Sequence, residues 1–124
     1  MRKKRAFKSI YRTIKRYEEE VTIISKNKVL ELESGNFVDS STEKVDKLAV
    51  FKNKSKYVYQ ENGIEKSADI KIYSTVEITE GDNSERVADV IELKNGLKYK
   101  VVFVDKREES SPVVYIAYGE EYDN

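Results

Sequence analysis

The chain has 124 residues, 39% of them hydrophobic and 37% charged, with 23 bases balanced by 23 acids. That length fits one domain with a real core and excludes two, and β-branched and aromatic residues recurring in alternation exclude a disordered chain. Cysteine and histidine are both absent, which excludes disulfides, thiol catalysis, cysteine-zinc sites and the nucleophilic triads built on an imidazole.

The zero net charge hides an asymmetry. Residues 1–17 carry Arg2, Lys3, Lys4, Arg5, Lys8, Arg12, Lys15 and Arg16 with no acid, leaving fifteen bases against twenty-three acids in the remainder. A basic arm on an acidic body reads as a contact element for phosphate or an acidic partner, or as a solvated helix docked on its own acidic domain. Phe7, Ile10, Tyr11, Ile14 and Tyr17 fall at helical spacing, predicting an amphipathic helix over residues 4–19, roughly 25 Å long. Its stripe is poorer in Leu, Phe and Trp than a membrane-surface helix, so it is expected to dock on protein. No apolar run of about 18 residues and no secretory leader is seen, and an unsecreted soluble protein without a membrane role is expected.

From Val21 the period becomes two. Residues 20–25 and 29–33 read as short strands around Lys26-Asn27-Lys28, residues 37–42 as a loop, and residues 44–51 as the next strand. Residues 52–67, KNKSKYVYQENGIEKS, form a charged long loop or hairpin with a turn signal at Glu61-Asn62-Gly63. Residues 68–78 return to strand patterning, with Ala68, Ile70 and Ile72 on one face and Asp69, Lys71 and Tyr73 on the other; a turn follows over residues 80–83.

The strongest local signal is VADVIELKNGLKYKVVFV, residues 87–104, two alternating runs closed on Asn95 and Gly96. A two-residue loop would set Ile91 opposite Lys100 and mix charge into both faces. A three-residue loop, Lys94-Asn95-Gly96 with Gly96 left-handed, sets Leu93 opposite Leu97, Ile91 opposite Tyr99 and Glu92 opposite Lys98. Only the second gives one apolar and one charge-paired face, so it fixes the register, with Val101 and Phe103 continuing inward. A polar loop over 106–111 leads to Pro112 and a last strand over 113–118, before an exposed acidic tail at 119–124.

The fold expected is mainly β: a small antiparallel barrel or sandwich of about six or seven strands at residues 20–118, preceded by the N-terminal amphipathic helix at 1–19. No enzyme is expected, because these residue types assemble no convergent acid, base and nucleophile. Nor is a cofactor or metal: there is no P-loop, dinucleotide fingerprint or calcium loop. Tyr57, Tyr59, Tyr73 and Tyr99, interleaved with Lys54, Lys56, Lys71, Lys98 and Lys100, leave open a second reading, an oligonucleotide-binding barrel for single strands. The acidic body opposes it.

The order of elements also matches a known pattern. The strand DKLAVF is followed by the polar segment 52–67, the short strand Ile72-Tyr73-Ser74, a hairpin of the form V-I-x-x-x-x-G-x-x-Y-x-V from Val90 to Val101, and the tyrosine-bearing strand Val114-Tyr115-Ile116-Ala117-Tyr118. In this the chain from about Leu48 to Tyr118 resembles the head-closure proteins of tailed bacteriophages, small barrels of the head-tail connector. The basic helix lies outside that pattern, and a neighbouring neck or tail-completion protein is the alternative layer. The resemblance implies a structural virion protein, a homo-oligomeric ring with portal and adaptor above it and tail terminator or tail tube below. It also implies that Lys52, Lys54, Lys56, Tyr57, Val58, Tyr59 and Lys66 form a channel or plug segment against packaged DNA. Arg2, Lys3, Lys4, Arg5, Phe7, Ile10, Tyr11 and Ile14 would be the partner-docking helix.

Overall fold

In the computed structural model the described residues are 2–80, 88–109 and 112–122, with 2–9, 27–30 and 37–39 described by backbone alone. The helix α1 (Arg2–Tyr17) precedes six strands: β1 (Glu18–Leu30), β2 (Phe37–Glu61), β3 (Ile64–Ser74), β4 (Val90–Glu92), β5 (Lys98–Arg107) and β6 (Val114–Glu121). They pair antiparallel in the order β1-β2-β3-β6-β5-β4 and close into a barrel. The mainly β class and the leading helix are as the sequence predicts.

Alternation decides what lies inside. Val21 and Ile23 of β1, Leu48 of β2, Ile70 and Ile72 of β3, Ile91 of β4, Tyr99 and Val101 of β5 and Ala117 of β6 fill the interior, with Leu93 and Ile78 from the connections. The segment after β3 is pinned there by Asp89, whose Oδ2 accepts from Thr79 N at 3.0 Å while its own N donates to Thr79 O at 2.9 Å. A second apolar layer lies on the outer face. There Ile14 of α1, 2% exposed, meets Ala49, Val114, Ile116 and Tyr118.

The central hairpin has the predicted register. Ile91 pairs with Tyr99 and Glu92 with Lys98; Leu93 N donates to Leu97 O and Gly96 N to Leu93 O, both at 2.9 Å. Gly96 sits at φ +89°, and Lys98 Nζ lies 3.6 Å from Glu92 Oε2.

Elsewhere the chain departs from expectation. Lys26-Asn27-Lys28 is no turn, because β1 runs unbroken and pairs with β2 over thirteen positions, from Glu18 with Ala49 to Leu30 with Phe37. Residues 37–42 are therefore strand, not loop. β4 holds β1 only from Thr22 to Ile24, so the outer half of this β1–β2 ribbon runs on past the barrel wall, roughly 20 Å at a strand's rise. Phe103 does not continue inward. The pairing shifts between Val101 with Gly119 and Phe103 with Tyr118, and this bulge turns Val102 and Phe103 to the outer layer while Val104 packs on the interior. β6 also runs to Glu121, so Gly119 is buried wall rather than tail. The predicted turn over 80–83 and the loop over 106–111 fall partly outside the described residues.

Candidate functional site

Residues 52–67 are the outer part of the β2–β3 hairpin. The turn is Asn62-Gly63, at φ +53° and +77°, with Glu61 opposite Ile64; left-handed geometry at both positions is what a two-residue hairpin turn needs. Between Lys52 opposite Ile70 and Tyr57 opposite Ala68, β2 supplies four residues where β3 supplies Asp69 alone. This wide bulge is tied down at Asp69, which holds Lys56 Nζ at 3.7 Å and accepts from Glu121 N at 2.8 Å.

The bulge separates the seven candidate channel residues into two sets. Tyr59 turns back onto the barrel and stacks between Phe103, at 5.0 Å, and Tyr118, at 4.9 Å. It is 7% exposed and presents the least surface of the seven. Tyr57 is half-buried beside the helix. Lys52, Lys54, Lys56, Val58 and Lys66 stay exposed, with Lys66 Nζ 3.2 Å from Glu61 and Lys52 Nζ 5.3 Å above the Tyr99 ring.

The candidate docking helix is also divided. Ile10 and Ile14 pack on the chain's own barrel and Tyr17 sets its ring edge-on to Phe51 at 5.6 Å, so this half of the apolar stripe is satisfied internally. Tyr11 is exposed. The side chains of Arg2, Lys3, Lys4, Arg5 and Phe7 lie outside the described residues. At the other turn, Asn95 Oδ1 accepts from Leu97 N at 3.0 Å, fixing the loop beside Gly96.

Between helix and barrel lies a cleft of about 320 Å³, lined by Ile10, Thr13, Phe51, Tyr57, Lys71 and Tyr73. Its walls are apolar and aromatic, with Phe51 and Tyr73 edge-on at 5.6 Å. One cation stands among them. Lys71 Nζ lies 5.3 Å from the Tyr73 ring and 5.6 Å from that of Tyr118, and among the described residues no carboxylate pairs with it. Burial pulls the ammonium pKa down, but hydrogen bonds to Tyr73 and Tyr118 outweigh this and hold it above the ordinary lysine value; it is charged at neutral pH. Sequence alternation places Lys71 and Tyr73 on one face, but Tyr118 joins them only through the non-local pairing of Lys71 with Tyr118.

Among the described residues, no group of three or more acidic side chains is arranged to hold a metal ion, and no helix is long and apolar enough to cross a membrane. No protein-family model and no curated protein matches the chain.

Proposed function

We propose that this chain is a structural subunit of a tailed-phage neck, a head-closure ring that joins portal and adaptor to the tail and helps retain packaged DNA in the virion. The observation that carries this reading is how the barrel uses its sequence. The interior is packed with apolar side chains, while the β1–β2 ribbon and the β2–β3 hairpin, built on opposite ends of one 25-residue strand, extend as contact elements. Exposed Leu32 lies at the turn of the ribbon, and exposed Val58 and Ile64 lie on the hairpin. Apolar side chains left in water on extensions, around a filled core, fit a subunit that completes itself by assembly.

The basic residues of the hairpin fit the DNA side of such a ring. The reading as a barrel for single-stranded nucleic acid is weakened by the tyrosines that would form its platform. Tyr59 and Tyr99 are buried, and Tyr73 carries Phe51 and Lys71 against its ring. Base stacking needs open ring faces.

The test is the mass of the purified protein by light scattering, with electron microscopy of the product and titration with labelled DNA at low and high salt. Closed rings with a central opening wide enough for duplex DNA are the expected result. A monomer that binds single-stranded DNA tightly with a steep salt slope overturns the proposal in favour of the nucleic-acid-binding barrel.

A further inference from the structure

The turn that ends the β1–β2 ribbon presents an unusual side chain. Leu32 is 92% exposed and stands between two exposed carboxylates, Glu31 and Glu33. The turn is tied by its own backbone: Gly35 N donates to Glu31 O at 2.9 Å, and Glu31 N to Asn36 O at 2.8 Å. Asn36 N donates to Ser34 Oγ at 3.3 Å. Gly35 takes the left-handed conformation at φ +71° that the closure requires. The loop is thus shaped without any contribution from Leu32, and every residue from 31 to 36 is exposed.

The helix–barrel cleft is the complement of this tip. It offers apolar walls from Ile10, Phe51 and Tyr73 around the ammonium of Lys71, and one of its walls belongs to the helix with eight bases in residues 1–17. We infer that the ribbon tip of one copy docks in the helix–barrel cleft of a second copy, Leu32 entering between Ile10 and Phe51 while Glu31 and Glu33 meet Lys71 and the basic helix. A leucine flanked by carboxylates matches apolar walls with a cation among them in polarity and in charge sign. This rests on the ring proposed above and names the contact that builds it. Tip and cleft are different surfaces, so the contact is heterologous: each copy uses its tip on one neighbour and its cleft on the other, and the series closes as a ring when the rotation allows.

The absence of cysteine makes a direct test clean. Leu32→Cys and Thr13→Cys are made as separate single variants of the full chain, mixed, and oxidised. A disulfide-linked dimer in the mixture and none in either variant alone is the expected result. Linkage of Leu32→Cys to itself overturns the inference in favour of a tip-to-tip contact. In parallel, Leu32→Asp, a substitution at a side chain 92% exposed, is weighed by light scattering. A 14.4 kDa monomer at concentrations at least tenfold above those at which the unmodified chain assembles is expected. Rings that form unchanged with Leu32→Asp, with no disulfide between the Leu32→Cys and Thr13→Cys variants, overturn this contact and leave the ring reading standing. An unmodified chain that stays monomeric at every concentration overturns both.

Discussion

A methyl group added at Gly96 meets nothing within 4 Å, yet it must be carried at φ +89°. At Gly119 the backbone makes no such demand, but the new carbon lies 3.0 Å from Ile70 Cγ1 and 3.3 Å from Tyr99 Cβ. Gly96→Ala therefore costs about 1 kcal/mol in backbone strain, and Gly119→Ala about 1–3 kcal/mol in overpacking. Urea unfolding separates them by a double-mutant cycle with Ile70→Ala, which deletes the Cγ1 and Cδ1 atoms nearest the new carbon: in that background the loss at Gly119 shrinks and the loss at Gly96 does not. Tyr59 gives a pH test. Burial, then Glu61, raises its phenol above the ordinary value of 10.0, so the unfolded chain loses that proton first and stability falls as pH rises past 10. Lys71, raised above 10.5, contributes stability that is present below that value and lost in the same alkaline range. Tyr59→Phe is expected to flatten the fall in melting temperature above pH 10 without abolishing it; an unchanged slope would show that the phenol does not contribute.

At the level of elements, what was legible depended on whether one face of a segment is buried. The hairpin at Asn95 and Gly96 could be read to the residue, because charge pairing at Glu92 and Lys98 and burial of Ile91 and Tyr99 agree on one register. The bulge after Val101 could not. Val101, Val102, Phe103 and Val104 are all apolar, so no period shows where the faces exchange. The outer part of the β1–β2 ribbon continues past the three positions at which β4 holds β1, and its strands read as turn and loop because Lys26-Asn27-Lys28 and the polar residues 39–42 show no alternation. Of the candidate site, the stripe of Ile10 and Ile14 and the shared face of Lys71 and Tyr73 were visible, whereas the return of Tyr59 onto Tyr118 depends on the wide bulge and on a distant pairing. The helix supplies the test at this scale. Ile14→Ala is expected to cost about 2–4 kcal/mol in denaturant unfolding, and Tyr11→Ala less than about 0.5 kcal/mol. Equal losses would mean that the helix does not dock through Ile14.

For the whole molecule, charge is the organising quantity. The arm of eight bases precedes a body with an excess of acids, and attraction between exposed charges fades once the Debye length drops from about 10 Å at 0.1 M salt to about 3 Å at 1 M. Assembly through the basic helix is therefore expected to weaken as salt rises, while the melting temperature of the isolated subunit, held by its apolar layers, changes little. Removal of residues 1–17 strips one wall of the cleft and uncovers Ala49, Val114 and Ile116. The truncated chain is expected to fold with lower stability and to remain a monomer, and rings that persist after the truncation would exclude any role for the helix in assembly.

The barrel is closed by its shortest strand. β4 shares three pairs with β1 and three with β5, against thirteen between β1 and β2. Local opening of the wall is therefore expected at the two seams of β4 before β1 and β2 part, and amide exchange that is faster at Thr22–Ile24 and Val90–Glu92 than along the rest of the β1–β2 ladder checks it.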